Sequence, residues 1–416
     1  MKLSNLKKIL VISESIDIED SSASKVNVAL ILNLKKIGYD VKVLHYTRKK
    51  IQLEGVKSIV IPEIKLSLNY LLSRSQRVFQ RLTKINISNR LENIFGHSFT
   101  FFNDSKSISK TVKKYYDNEN LIITLSKGAS FRPHHAMLSL PNLHDKWMAY
   151  VHDPYPFHYY PRPYDWLEAG AKFKEKFFRE VSEKAKYSGF PSLMLKEWMG
   201  GYFPNFLKTG VIIPHQNLEI DQNKEQELPD YIDTSKFNIL HAGNMFKERP
   251  PHFLIKGYQM FLKNNPEAIN ASKLILLGGT DENYLDYLNK ARSNNIYWSK
   301  GSVKFKEALM LQNNTSVNVI IEGDSSISPF LPGKFPNCIN ANKPILLLSP
   351  YYSETKRLLG SDYNFISELK DSKKISILIG ELYFNWKKDR NQKLDRDDLG
   401  TYLGLEYLLN TLSKLN

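Results

Sequence analysis

Two doubly wound α/β domains are the fold this sequence predicts, and three observations predict it. The chain has 416 residues, too many for one ordinary hydrophobic core and suited to two domains of about 200 residues. Short apolar runs alternate with helically spaced segments in both halves, the pattern of parallel βαβ units. Several of those runs end in glycine or a small polar residue, as strands do where they deliver chain to a ligand loop.

In order along the chain, residues 9–12 read as a buried first strand. Met1–Ser13 has three lysines before its apolar run, but Glu14 and Asp17 follow at once without a small-residue cleavage site. A strand is therefore the better reading than a secretory leader. A serine-rich loop leads into a helix near 26–37, which Gly38 stops before a strand at 41–44. Further strands are predicted at 58–61, 121–125, 148–152 and 211–213. In the second half they fall at 237–241, 273–277, 318–321 and 344–348, with helices at 251–264 and 281–294 among the connections. Residues 215–234 are polar and acidic and have linker composition. The domains are set at 1–215 and 216–400. A terminal amphipathic helix over 401–416 is expected to pack back on the first domain.

The composition narrows the function classes. Charged residues make up 24% and hydrophobic residues 42%, which excludes a disordered or collagen-like chain. No run of about 18 apolar residues is present to span a membrane. Cys338 is the one cysteine, which fits a reducing compartment and leaves no intrachain disulfide. The net charge is +15, and it is uneven: residues 1–215 hold 33 Lys+Arg against 19 Asp+Glu, and residues 216–416 hold 25 against 24. The first half therefore faces something anionic, be it nucleic acid, a membrane surface or an acidic substrate.

Three stretches at predicted strand ends carry candidate chemistry. In Ser328–Pro350, Pro332 suits a first helical turn, and the amides near Gly333 together with Lys334 suit a phosphate. In His241–Pro251, Gly243 allows close backbone approach, while Lys247 and Arg249 supply positive charge for a diphosphate. Leu274–Gly279 is a leucine-rich strand ending in Gly278. Each stretch alone also reads as a solvated loop.

Taken in series, these residues resemble the large group of retaining glycosyltransferases with the GT-B fold. The matching series is Gly243-Asn244 with its basic followers, the strand ending at Gly278, Gly301-Ser302-Val303, Glu307-Ala308, Pro332-Gly333-Lys334 and Lys343-Pro344-Ile345. The resemblance implies two Rossmann-like domains facing across a cleft, with a nucleotide-diphosphate sugar as donor, UDP-sugar favoured, and no metal or other cofactor. It implies donor binding by Gly243, Asn244, Lys247, Arg249, Gly278, Val303, Pro332, Gly333, Lys334 and Asn337. The family often has a glutamate for the ribose hydroxyls where this chain has Asn337. In the first half, His152-Asp153-Pro154 resembles the family's His-Asp/Glu-Pro turn, so His152 and Asp153 are the implied catalytic residues. The family's Gly-Gly loop after the first strand is replaced by Ser21-Ser22-Ala23-Ser24. Ser22, Ser24, Tyr155 and Arg162 are assigned to a saccharide or lipid-linked acceptor, in bacterial surface polysaccharide synthesis. A sugar-nucleotide epimerase of the same fold and an inactive sugar-binding scaffold are the alternatives.

Other segments qualify that reading. Residues 155–166 crowd aromatic rings around Arg162, which suit a sugar face or simply pack the loop onto its domain. Leu66–Phe95 reads as one basic amphipathic helix with Arg74, Arg77, Arg81 and Lys84 at steps of three and four. It suits an anionic membrane surface, on the inner face of a cytoplasmic location; the bland reading is a core-facing helix with a solvated basic face. Asp395-Arg396-Asp397 spells a D-x-D, more plausibly a helix cap at Asp397 or Asp398 than a metal site. No His/Cys/acid cluster has metal-ligand spacing. The near-neutral second half and the Pro-x-Lys series speak against a nucleic-acid partner.

Overall fold

Seven short strands, the five inner ones buried along most of their length and the two edge ones only partly covered, build the first of two parallel sheets in the computed structural model, which describes residues 7–163, 166–217 and 227–415. The strands are β1 (Lys8–Ser13), β2 (Asp40–His45), β3 (Lys57–Val60), β4 (Leu121–Leu125), β5 (Trp147–Tyr150), β6 (Tyr187–Phe190) and β7 (Gly210–Ile212). Their order is β3-β2-β1-β4-β5-β6-β7, and every pairing is parallel. Strands covered by helices on both faces read as continuous apolar runs, which is why Lys8–Ser13 alternates so little. The helices Ser22–Lys36, Phe99–Tyr115 and Ala171–Lys184 are among the crossovers. Between them lies a core rich in rings, including Phe131, Trp147, Phe178, Phe190 and Phe206.

The second sheet follows the same plan. It contains β8 (Phe237–Ala242), β9 (Ser272–Leu277), β10 (Ile296–Trp298), β11 (Val317–Ile321), β13 (Ile345–Leu348) and β15 (Ile366–Ser367), in the order β10-β9-β8-β11-β13-β15. β12 (Ile327–Ser328) pairs with β14 (Tyr352–Ser353) in a separate two-stranded ladder. Helix Ser372–Lys388 packs along helix His252–Asn264, bringing Ile375, Ile379 and Tyr383 into the core with Leu254, Tyr258 and Phe261.

The described residues of Met1–Tyr160, Tyr164–Leu218 and Leu405–Asn416 form one compact unit, and those of Pro161–Pro163 and Glu219–Gly404 form the other. The C-terminal segment is two helices, Asp397–Tyr402 and Leu405–Ser413, rather than one. Leu399 and Leu403 pack with Leu331 and Phe335 in the second unit, while Leu405–Ser413 lies beside helix Ser22–Lys36 in the first. Of the linker expected at 215–234, residues 218–226 lie outside the described residues.

Two further elements differ from the expectation. The helix read over Leu66–Phe95 is broken into Leu68–Thr83 and Ser88–Phe95. Lys84 ends the first piece in the left-handed region at φ 59°. Strand β6 carries no sequence signal because its YSGF holds a glycine. A Cβ on Gly189 would lie 2.7 Å from the Tyr150 ring. That closeness lets Tyr150 cross the sheet and donate its hydroxyl to the Ile213 carbonyl at 2.7 Å.

Candidate functional site: strand ends with unpaired cations

The order of the second sheet reverses between β8 and β11: from β8 the chain winds outward through β9 and β10, and from β11 it winds the other way through β13 and β15. Open α/β sheets take ligands at the carboxyl ends of the strands flanking such a point. Here those ends deliver His241, Ala242 and Gly243 from β8 and Glu322 from β11.

Gly243 shows why a glycine stands there. An ideal Cβ on this residue would lie 2.1 Å from Lys334 Nζ and 2.9 Å from its Cε. The Lys334 ammonium therefore rests on the bare backbone of the loop after β8. Gly278, at φ +138°, completes the approach from β9, where a Cβ would come within 2.4 Å of the Gly243 carbonyl oxygen. Asn244 fastens the two loops, its Oδ1 accepting from the Gly279 amide at 2.9 Å. Sequence reasoning assigned Asn244 to the donor, and in the structure this oxygen is engaged by the protein's own backbone.

Burial pushes the Lys334 ammonium down to about 7; the nearby Cys338 thiol opposes this and the Arg249 charge adds to it. No ion pair involves Lys334, Lys247 or Arg249 among the described residues. Lys247 and Arg249 are both exposed. Arg249 sits in a tight turn, its amide donating to the Phe246 carbonyl at 2.8 Å. Beneath them His241 is buried and held well below the ordinary imidazole range, first by burial and then by Lys334. Its Nδ1 faces the Val319 carbonyl at 3.0 Å.

The Pro-x-Lys stretch takes a different form from the one expected. Pro332 precedes the helix: its carbonyl accepts the Phe335 amide at 2.8 Å. Lys334 is the capping residue, and the six-residue helix Phe335–Asn340 carries Pro336 in its first turn. The Phe335 amide is thus already bonded within the turn, and fewer free amides face outward than the sequence implied. Asn337 is buried one turn after Lys334. Val303 packs beside Leu240, Leu277 and Leu311, and Glu307 accepts the Tyr231 hydroxyl at 2.5 Å.

One residue absent from the sequence-based set belongs with them. Glu322 directly follows β11, is buried, and neither carboxylate oxygen meets a strict hydrogen-bond partner. Burial raises it to about 7, with Thr355, Ser353 and Ser328 near enough to oppose the shift and Arg249 adding to them. The signal available in sequence was only its place after an apolar strand.

In the first unit the corresponding reversal lies between β1 and β4. Glu14 follows β1 there and accepts from the Lys127 amide at 3.1 Å. Its carboxylate also takes Ser130 and Arg132, and Arg132 in turn reaches Asp104 at 3.1 Å. Glu14, Lys127, Arg132 and Asp104, with Tyr46, Arg48 and Lys49, line a cavity of about 270 Å³. Sequence reasoning picked none of them, because the acids and bases come from four separate segments.

The residues that were picked are dispersed around this unit. His152 lies two residues past β5, buried, with neither ring nitrogen hydrogen-bonded. Burial, then His215 and His134, hold it well below the ordinary range, so it is neutral at pH 7. Asp153 lies by the loop after β4, its Oδ2 3.9 Å from where a Cβ on Gly128 would be. Ser24 is buried and tied to the cap residue Ser21, its amide donating at 3.1 Å, whereas Ser22 is exposed. Tyr155 stands against the acceptor assignment: it is buried among Phe131, Phe177 and Phe178, with its hydroxyl 2.9 Å from His97 Nε2. Its size and apolar ring are spent on packing. In the aromatic loop Tyr159 likewise packs within the first unit, stacking on Tyr202 at 3.9 Å and receiving Trp198 Nε1 at its carbonyl at 2.7 Å, whereas Pro161–Pro163 group with the second unit. Arg162 is exposed, and Tyr164 lies outside the described residues.

The D-x-D is occupied locally. Arg396 is the helix cap residue, with no side-chain capping bond, and it pairs with Asp398 at 2.7 Å; Asp397 and Asp398 sit in the first turn instead of capping it. Among the described residues no group of three or more His, Cys, Asp or Glu is placed to hold a metal ion. Cys338 is buried, accepts from Gln312 at 3.3 Å and is pushed up to about 12, as a packed thiol.

Two Rossmann-like domains with these strand orders define the class: the chain has the GT-B fold. Among solved structures it is similar to an α,α-trehalose-phosphate synthase (UDP-forming) from Burkholderia xenovorans in complex with glucose-6-phosphate. The identity is 10%, the TM-score 0.64, and 98% of this chain and 99% of that one are covered. It is also similar to Anabaena Alr3699/HepE in complex with UDP and glucose (11%, TM-score 0.57, 98% and 100% covered). A third similar structure is the N-terminal domain of Candida albicans trehalose-6-phosphate phosphatase (12%, TM-score 0.61, 100% and 98% covered). No family model and no curated protein sequence matches the chain.

Proposed function

We propose that this protein transfers a sugar from a nucleoside-diphosphate sugar to a saccharide or lipid-linked acceptor, with retention of configuration. The observation that carries the proposal is the Lys334 ammonium lying on the Gly243 backbone at the β8–β11 reversal, with the Arg249 charge near enough to act on it, Lys247 exposed in the same loop, and no carboxylate among the described residues paired to any of them. Cations left unpaired at a ligand crevice are suited to a diphosphate. When the glycosidic bond breaks, the leaving diphosphate gains charge, and these groups stabilise it without rearranging. Gly278 keeps the loop after β9 low enough for backbone approach. Pro332, Gly333, Val303 and Asn337 complete the donor set, and Asn337 offers the ribose an amide where the resembled family offers a carboxylate. UDP is the favoured nucleotide: of the similar structures, one is a UDP-forming synthase and another is a complex with UDP and glucose.

In the first unit, His152 and Asp153 are assigned to the reacting end of the acceptor. A neutral imidazole with two unengaged nitrogens can accept or donate a hydrogen bond to a sugar hydroxyl. Ser22 there, and Arg162 in the stretch Pro161–Pro163 that groups with the second unit, remain exposed acceptor candidates. The working place is the cytoplasmic face of a membrane, in surface polysaccharide synthesis.

The test is release of nucleoside diphosphate from a panel of UDP-, GDP-, ADP- and dTDP-sugars in the presence of mixed acceptor saccharides. Turnover with one donor is expected, and Lys334→Ala should lower it on the order of 100-fold while the melting curve stays cooperative. Donor binding without release would instead favour a sugar-binding scaffold.

A further inference from the structure

Helix Leu68–Thr83 is mounted the reverse way round for a helix on a globular domain. Such helices turn their apolar stripe to the core. Here the side facing the domain is polar. Ser73 is buried and receives the Thr100 hydroxyl at 3.2 Å. Gln76 and Gln80 donate to the Ser88 hydroxyl at 3.0 and 3.1 Å. The capping Ser67 donates to Asn103 at 2.5 Å. The apolar stripe faces away: Leu68, Leu71, Val78, Phe79 and Leu82 are exposed, Leu82 to 77% and Leu71 to 59%. Leu66 before the helix and Ile85 after it are exposed as well.

A basic stripe borders this apolar one. Val78 has Arg74 four residues before it and Arg81 three after, the spacing of neighbours on a helix surface. Between residues 65 and 95 stand Lys65, Arg74, Arg77, Arg81, Lys84 and Arg90 against the single acid Glu92. Glu92 is taken by Lys174 at 3.0 Å. None of the six cations forms an ion pair among the described residues.

We propose that this face docks on the surface of an anionic lipid bilayer, with Leu71, Val78 and Leu82 entering the acyl boundary and Arg74 and Arg81 at the phosphates. Exposed apolar side chains beside unanswered cations are complementary to that one plane, which offers hydrocarbon just beneath a layer of negative charge. A second copy of the chain is a poorer occupant, since a twofold contact through this face sets cations against cations with no free carboxylate in the segment. The docking deepens the membrane placement of the function proposed above. It is measured without donor or acceptor, so failure of docking and failure of transfer are separable.

The experiment is co-sedimentation of the full chain with vesicles of phosphatidylcholine, with and without 30% phosphatidylglycerol (about a third of the lipid anionic, enough to set a surface potential). Binding is expected only with the anionic lipid and should weaken with added salt. Arg74→Ala with Arg81→Ala should weaken it about 25-fold, and Leu71→Gln and Leu82→Gln on the order of tenfold each. Leu82→Trp keeps the face apolar and should show an emission blue-shift on the same vesicles. Equal sedimentation of wild type and variants, no sedimentation of the wild type, or a concentration-dependent dimer that Leu82→Gln abolishes would overturn the proposal.

Discussion

Lys334 and Gly243 are one device at the scale of residues. With 2.1 Å between Nζ and a would-be Cβ, Gly243→Ala has to displace the ammonium. We expect it to weaken nucleotide binding at least tenfold with little loss of thermal stability. In a double-mutant cycle with Lys334→Ala the two effects should not add. The same lysine sets a pH dependence. Its pKa in the fold is about 7, against an ordinary 10.5, so the free protein loses the ammonium as pH rises through 7. Affinity for a nucleoside diphosphate should fall by up to about tenfold per pH unit above that point, and Lys334→Arg should flatten the profile. Glu322 makes stability, too, fall with rising pH. Its pKa is raised from 4.5 to about 7, so between those values the folded state holds a proton the unfolded state has lost, and stability falls as pH rises. Glu322→Gln should leave the melting temperature unchanged near pH 4 and raise it above pH 7, by an amount equivalent to about 3 kcal/mol. Gly243 and Lys334 were legible in the sequence because a strand-end glycine and a Pro-x-Lys are local patterns. Glu322 was not, because its significance comes from Ser328, Ser353 and Thr355, which reach it from later elements. Tyr155 was misplaced because a tyrosine in a proline-rich loop looks the same whether its ring meets a sugar or Phe131.

At the scale of elements, most parallel strands were legible as apolar runs, since burial on both faces removes the polar alternation. The exceptions follow from packing. Strand β6 is short and holds a glycine that makes room for Tyr150. The break at Lys84 is carried by a single left-handed residue, for which a lysine gives no warning. The orientation of helix Leu68–Thr83 was also out of reach: periodicity shows that a stripe exists, and only the buried Ser73 shows which side faces the domain. Ser67 caps this helix, its hydroxyl accepting from the Tyr70 amide at 3.0 Å. Ser67→Ala should cost about 1 kcal/mol, read as faster amide hydrogen exchange confined to the first turns of that helix.

For the whole molecule, the charge and the fold divide the work between the halves. The first 215 residues carry a net +14 and the rest +1, by the counts of Lys+Arg and Asp+Glu above. The phosphate recognition proposed at the β8–β11 reversal needs only three cations, which is compatible with a nearly neutral second half. The excess in the first half includes the six cations of residues 65–95, none in an ion pair among the described residues, and salt should therefore affect vesicle binding more strongly than nucleotide binding. Both sheets place their reversal after the first strand, which is why the length and the β/α alternation sufficed to foresee two doubly wound domains. The proposed transfer depends most on the donor diphosphate lying at Lys334. Calorimetric titration of the nucleotide-sugar panel into wild type and Lys334→Ala at pH 6.5 tests this most directly. We predict saturable binding of one donor to the wild type and at least a tenfold weaker affinity for the variant. The same affinity in both proteins, or no binding of any member of the panel to the wild type, would contradict it.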